Sequence, residues 1–452
     1  MARDNVPRVS AATHAYPDDL VAFVSARWTE VEETDPWPEG SFPNEAPPAD
    51  LLETLVSTAY QASLLRDEER PVTFRAILAG PDVFPAHRGP PYGVHRLVFV
   101  QTRPVDAHEL RRLSQAAKYP RALLGLQVSK NGELEIWGIV YTGPRWLQVS
   151  QGGRGVHASL PPVPVVSVSG PGRITVSKGL TPVARLAGGR LSEPEHDVFE
   201  SRWLPAMFVD VRGEMWAQHE AAREAASQPW AQVDPDFVRK LGQHFVRRIV
   251  ATIRAAKHGG TIVFVPPADA ARFTDEETFV TLKHRFVDEE PRRRCRSVMV
   301  RTVNALAEAC GPLVPRGTTV GWNEHASLAD PLVAELDEAL FEVAHLIAAL
   351  ADIDGAVVMT RRFETLGFGG VVAGELPDVA RVARALDVEG EHRIRERTDL
   401  VGTRHNAAYR LCNAYHDALA IVISQDGGTR FVRWRRDAVT YWDQVGAAAV
   451  DT

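Results

Sequence analysis

Three short stretches limit the fold most tightly: Thr261-Ile262-Val263-Phe264-Val265, Ala356-Val357-Val358-Met359 and Ala418-Leu419-Ala420-Ile421-Val422-Ile423. Each is apolar at nearly every position, so each reads as a strand that needs cover on both faces. Helical patterns stand between them. Over 234–257, Asp234 is placed as N-cap and Pro235 in the first turn, and Phe237, Val238, Leu241, Phe245, Ile249 and Ile253 form an apolar stripe that ends at Gly259-Gly260. Over 331–350, Leu332, Leu336, Leu340, Val343, Leu346, Ile347 and Leu350 repeat with helical spacing. The reading is strands at 261–265, 355–360, 418–423 and 429–434, with helices at 331–350, 377–386 and 403–414. Such alternation predicts an α/β layer fold around a mixed, largely buried β-sheet flanked by helices.

At 452 residues the chain is too long for one ordinary domain. Upstream of the sheet, 1–59 reads as a tail with two helices. Residues 60–205 read as an α+β domain with strands near 73–78, 97–100, 122–128 and 134–140. Asn131-Gly132 marks a hairpin turn there. Residues 206–258 are a helical connector, and 259–445 hold the α/β domain, interrupted by a 266–330 segment of unclear pattern. Gly152-Gly153-Arg154-Gly155 could cradle an anion or simply join strands. The run from Asp288 to Arg294 reads as a solvated helix end.

A net charge of −7 argues against a specific nucleic-acid binder. Cys295, Cys310 and Cys412 have no metal or disulfide spacing, which suits a reducing cytoplasm. No apolar run approaches membrane-spanning length, and residues 1–19 lack the apolar core of a signal peptide. The expectation is a cytoplasmic protein away from the membrane.

Two polar motifs border the apolar strands. Asp354-Gly355 precedes one strand, and Gly402-Thr403-Arg404-His405-Asn406 opens a helix that leads to another. A carboxylate beside a glycine, with a basic cluster at a helix start, suits a metal-bound nucleoside triphosphate. Read singly, the first could be an ordinary turn and the second an ordinary helix N-terminus.

Taken in order, Asp354-Gly355-Ala356 and Gly402-Thr403-Arg404-His405-Asn406, followed by the strand ending at Ser424, resemble the DGA and GTRHR motifs of diadenylate cyclases. The resemblance spans roughly 240–445. It implies condensation of two ATP molecules into cyclic di-AMP, with Mg²⁺ or Mn²⁺, in a homodimer or higher oligomer whose sites face each other. By that resemblance Asp354, Gly355 and Ala356 are catalytic, and Gly402, Thr403, Arg404, His405, Asn406 and Ser424 bind ATP. Asp354 and Asp426 hold the metal. The 60–205 module, with Leu134-Glu135-Ile136-Trp137-Gly138-Ile139, looks like the predicted sensor domains N-terminal to some of these cyclases, and would take an unknown small ligand.

The chain departs from the family at three points. Asn406 replaces a second arginine, Gln425-Asp426 replaces an acidic pair, and Asp352-Ile353 replaces leucine-histidine. Two readings follow: a sensor-regulated diadenylate cyclase, or a weak or inactive receptor of the same fold that binds ATP or cyclic di-AMP.

Overall fold

The structure, a computed structural model, describes residues 14–31, 37, 42–90, 93–119, 121–143, 152–154, 159–192, 197–275, 279–372, 376–399, 401–425 and 427–444. The chain divides into two compact units. The first comprises 1–150, 156–194 and 446–452; the second comprises 151–155 and 195–445.

The first unit opens with helices α1 (Pro17–Arg27) and α2 (Ala49–Ser63) and the small hairpin β1–β2 (Arg66–Asp67, Arg70–Pro71). Strands β3 (Phe74–Leu78) and β4 (His95–Pro104) follow, then α3 (Ala107–Ser114), whose N-terminal N–H groups are capped by Asp106. β5 (Ala122–Val128), β6 (Leu134–Tyr141), β7 (Pro164–Gly170), β8 (Arg173–Lys178), β9 (Thr181–Ala187) and β10 (Arg190–Ser192) complete an eight-stranded sheet, ordered β10-β9-β8-β7-β3-β5-β6-β4. The predicted Asn131-Gly132 turn joins β5 to β6, with Gly132 at φ +83°. Trp137 on β6 is fully buried and donates its indole N–H to the Ala79 carbonyl at 2.7 Å. The ring lies against Gly125 on β5, where a Cβ would stand 2.3 Å from it, so only glycine fits there.

In the second unit two short strands, β11 (Gln232–Val233) and β14 (Thr319–Val320), pair in parallel, apart from the main sheet. The main sheet contains β12 (Gly260–Val265), β13 (Val280–Arg285), β15 (Ala356–Thr360), β16 (Thr365–Val372), β17 (Arg381–Ala385), β18 (Arg393–Arg397), β19 (Leu419–Ile423), β20 (Thr429–Arg435) and β21 (Ala438–Gln444). Its order is β13-β16-β15-β12-β19-β20-β21-β17-β18. β12 runs parallel to β15 and antiparallel to β19, so the sheet is mixed. The helices labelled here are α4 (Val209–Ala225), α5 (Pro235–Ala256), α6 (Glu290–Cys310), α7 (Pro331–Leu350) and α8 (Thr403–Ala414).

The apolar runs are explained by two-sided cover. Ile262, Phe264, Val357, Met359, Leu419 and Ile421 enter the core shared with α5, α6 and α7. Their strand neighbours Val263, Val265, Val358, Ala420 and Val422 enter a second core under α8. Alternation along each strand feeds two apolar layers instead of one apolar and one wet face.

Asp234 caps α5 through a 2.9 Å bond from the Asp236 N–H, with Pro235 in the first turn, as expected. Residues 381–385 correct the expected helix at 377–386, because they are strand β17, paired with β18. The decisive local feature is the turn after it. The Asp387 carboxylate accepts the Glu391 and His392 N–H groups at 3.0 and 2.6 Å, and Gly390 takes φ +65°. The 266–330 segment contains β13 and the long helix α6, and the charged run sits at the start of α6, where Arg292 and Arg293 pair with Asp288.

Gly152 and Arg154 fasten to helices of the second unit. Arg248 donates to the Gly152 carbonyl at 3.0 Å and to Asp337 at 3.0 Å. Arg154 donates to the carbonyls of His325 and Leu328 at 3.3 and 3.1 Å. The guanidinium of Arg154 is thus spent on backbone acceptors.

Beside this strap His244 stacks on Trp322, with ring centroids 3.9 Å apart, and His325 is almost wholly buried, both its ring nitrogens lacking hydrogen bonds. Burial, reinforced by nearby arginine charge, pushes both imidazoles down to about 3. An unfolded histidine titrates near 6.5, so the unfolded chain takes up protons that the folded chain refuses between about 6.5 and 3. The stability held by the neutral imidazoles should therefore be complete above about pH 6.5 and drain away as pH falls towards 3. Urea midpoints measured at pH 7 and pH 5 should fall clearly in the wild type. They should fall less in His325→Phe, which removes one of the two buried bases; an equal fall in both proteins would contradict the assignment.

Candidate functional site

Strand register, together with one side-chain bond, brings the two sequence motifs to one edge of the main sheet. Thr261 pairs with Ala356, Gly260 with Ile423, and Ile423 with Thr429. The starts of β12, β15 and β20 and the end of β19 therefore lie side by side. The segments entering or leaving there are 257–259, 352–355 and 424–428. The N-terminus of α8 is held at the same edge, because the Arg404 guanidinium donates to the His258 carbonyl at 3.0 Å.

The junction His258-Gly259 is central to this corner. Gly259 has φ +71°, and a Cβ there would stand 2.6 Å from the Ile423 carbonyl oxygen and 2.7 Å from Arg404 Nη1. Only glycine lets the α5–β12 connection pass that close to both neighbours. His258 is also joined to Asp352 by an imidazole–carboxylate contact. Thus Asp352, two residues before Asp354, and Arg404 are both tied to His258. Sequence reasoning took Gly259-Gly260 only as a helix terminator and missed His258. The available signal was a histidine set between a helix end and a doubly buried strand.

Asp354 is exposed and makes no hydrogen bond or ion pair among the described residues. Gly355 has φ +122° and packs on β16, where its Cβ would be 2.5 Å from the Gly369 carbonyl carbon. Lys283 on β13 covers the same corner, with its side chain 3.2 Å from the Cβ position of Gly369. Ala356, the third residue of the first motif, is buried as the first residue of β15 and serves packing.

Gly402 and Thr403 are exposed, and no side chain caps the first turn of α8. The positive end of the helix dipole therefore lies beside the exposed Gly402 and Thr403. A Cβ at Gly402 would meet nothing within 4 Å. His405 lies with its ring centroid 6.4 Å from that of Tyr409. Tyr409 anchors the helix: its hydroxyl accepts from Arg430 at 3.3 Å, and Arg430 pairs with Asp443 at 2.8 Å. Burial raises the Tyr409 phenol above its usual range.

Asn406 is turned to local use, since its amide donates to the Val401 carbonyl at 3.4 Å. Ser424 closes the β19–β20 turn, with its N–H on the Gly428 carbonyl at 2.8 Å and its carbonyl accepting from Gly427. Gln425 is exposed beside it. Asp426 lies outside the described residues. Arg254, in the last turn of α5, reaches this turn, with Nε 4.0 Å from the Cβ position of Gly427.

Among the described residues no three His, Cys, Asp or Glu side chains gather as a metal-binding group. Mg²⁺ and Mn²⁺ do not need such a cage when a nucleotide brings them. Mg²⁺ in particular is commonly held by one or two carboxylates, water and substrate phosphates. The exposed carboxylate of Asp354 fits that kind of site.

Comparison with known proteins adds one family. Residues 42–141 match the family model described as "Probable sensor domain DACNV". The match runs from before α2 to the end of β6 and includes the Trp137–Gly125 contact. No curated protein and no solved structure matches the chain. No described helix is long and apolar enough to cross a membrane.

The glycines of the two motifs should respond differently to substitution. Gly355→Ala forces a Cβ into Gly369 at left-handed φ, and should lower the unfolding free energy by about 1–3 kcal/mol in urea titrations. Gly402→Ala, at φ −68° in open space, should leave it within about 0.5 kcal/mol. Equal losses would mean that Gly355 is not held as described.

Proposed function

We propose that the second unit binds ATP with Mg²⁺ or Mn²⁺ at this edge and acts as a diadenylate cyclase, forming cyclic di-AMP and pyrophosphate under control of the sensor domain. The observation that carries the reading is that Asp352, two residues before Asp354, and Arg404 at the start of α8 both contact His258. An exposed carboxylate, an arginine and a helix start without a side-chain cap suit a triphosphate carrying a cation.

The roles follow from placement. Early N–H groups of α8, the Thr403 hydroxyl and the outer face of Arg404 hold phosphate oxygens. Gly402 lets phosphate approach the backbone without hindrance, and Gly355 keeps the turn before β15 tight. Asp354 would hold the cation, which would supply neutralisation of the phosphate charge. In the reaction a 3′-oxygen forms a bond to the α-phosphorus of a second ATP while the bond to pyrophosphate breaks. If Asp354 does not hold the cation, its carboxylate would instead accept the hydroxyl proton. Ring closure needs two such transfers, which suits two copies meeting with their sites opposed. The protein is proposed to work in the cytoplasm, with a small molecule bound at the sensor domain.

A second reading is favoured by Asn406. Its amide serves the Val401 carbonyl, and an amide cannot bind phosphate with the two-pronged geometry of an arginine. A receptor that holds ATP or cyclic di-AMP without turnover would keep Asp354 and Arg404 and still tolerate Asn406.

ATP affinity and product, measured on the same preparations, test both readings. Arg404→Ala should weaken ATP binding about tenfold or more, since a hydrogen bond to a charged group is worth roughly 1.5–3 kcal/mol. Asp354→Asn should retain the fold and abolish cyclic di-AMP formation. Asn406→Arg should tighten ATP binding and raise turnover, because added cationic contact favours the transition state. Tighter binding without product, from a wild type also inactive with both metals, would establish the receptor instead; unchanged ATP affinity in Arg404→Ala would move the triphosphate elsewhere.

A further inference from the structure

One short piece of the second unit is out of sequence with the rest of it. Residues 151–155 belong there, although the chain up to 150 and again from 156 belongs to the first unit. Gly152, Gly153 and Arg154 therefore stand in the connection between β6, which ends at Tyr141, and β7, which begins at Pro164. Both glycines are buried, whereas a strand connection ordinarily runs over the surface with its backbone in water.

The contacts that hold this strap converge on one side chain. Gly152 takes φ +78°, and a Cβ there would stand 2.3 Å from the His244 carbonyl oxygen and 3.1 Å from the Arg248 backbone nitrogen. The strap thus lies against the middle of α5 with no room for a side chain. Arg248 is only 3% exposed, and one nitrogen of its guanidinium donates both to the Gly152 carbonyl and to the Asp337 carboxylate, each at 3.0 Å. Its other terminal nitrogen donates to the Asp337 carbonyl at 3.2 Å, and the cation lies 5.3 Å from the centre of the Phe341 ring. Asp337 and Phe341 are on α7, so Arg248 joins the strap, α5 and α7 at one buried point.

Those are the two helices that lead to the nucleotide edge. α5 runs into His258-Gly259 and β12, and α7 runs into Asp352, Asp354 and β15, the parallel neighbour of β12. Their ends touch again where His258 meets Asp352. Withdrawing the Gly152 carbonyl would cost a buried guanidinium one of its acceptors, and the α5–α7 crossing would have to readjust. Rigid elements with two arrangements carry such a change to their ends.

We propose that residues 152–154 form a regulatory strap for the nucleotide site. Docked, the strap fixes α5 and α7 in the spacing that brings His258 and the Asp352–Asp354 turn together; released, it loosens that corner. The first unit acts on it through the chain itself, because the strap is part of the β6–β7 connection. The proposal rests on the nucleotide reading of that edge.

Linkage allows a test without the sensor's own ligand, since docking that favours ATP must in turn be favoured by ATP. Hydrogen–deuterium exchange is followed in the full-length wild type and in Arg154→Ala, with and without ATP and Mg²⁺. Arg154 holds the strap to the carbonyls of His325 and Leu328 and takes no part in nucleotide binding. In the wild type ATP should slow exchange at 152–154 together with 352–356 and 402–406. In Arg154→Ala the strap should exchange faster without ATP, and ATP affinity should fall about fivefold or more. Protection of the nucleotide edge with 152–154 unchanged would overturn the proposal and leave the nucleotide reading standing. So would an Arg154→Ala protein that keeps wild-type strap exchange or wild-type ATP affinity. No protection at 352–356 and 402–406 in the wild type would instead remove the nucleotide reading, and the strap proposal with it. Should Arg154→Ala fail to fold, the wild-type comparison decides alone.

Discussion

The hydrogen bond from Arg404 to the His258 carbonyl joins parts of the chain 146 residues apart. It is a bond from a charged donor to a backbone acceptor at a partly buried edge, worth more than a neutral pair. It forms only because Gly259 has no Cβ, which would stand 2.7 Å from the guanidinium nitrogen. The two motifs depend on this arrangement. With Asp352 on the other side of His258, the carboxylate strand and the basic helix meet at one corner instead of lying on separate loops.

That corner also shows why an otherwise strained backbone persists. Gly355 and Gly259 hold left-handed conformations at the starts of two adjacent parallel strands. Strand pairing and two apolar layers fix both positions from either side, so the unusual backbone angles are set by the fold and held firmly. A rigid frame of this sort positions groups for binding better than a free loop would. The start of α8, with the positive end of its dipole, lies at the same strand ends through the Arg404–His258 bond.

Much of this was legible in the chain. Doubly buried strands announce themselves by apolar runs, and Asp234-Pro235 announces a helix start, so β12, β15, β19 and α5 could be placed from residue type alone. β17 could not, because Pro377-Asp378 imitates a helix start and its alternation is short; the hairpin turn at Asp387–Gly390 decides it. β16 was missed because Thr365-Leu366-Gly367-Phe368-Gly369-Gly370 is glycine-rich, and those glycines exist to let β13, β15 and Gly355 approach. His258 was missed for a different reason. Its role comes from its backbone carbonyl, which carries no signature of residue type. In the first unit the sensor-like stretch around Trp137 was readable, and the match at 42–141 falls on it.

The central claim is that residues far apart in sequence form one nucleotide site at a single sheet edge. Hydrogen–deuterium exchange of the whole protein, with and without ATP and Mg²⁺, tests it without requiring turnover. The account predicts slower exchange in peptides covering 352–356 and 402–406 together, saturating at the same ATP concentration. Protection of only one of the two, or protection confined to residues elsewhere in the chain, would contradict it.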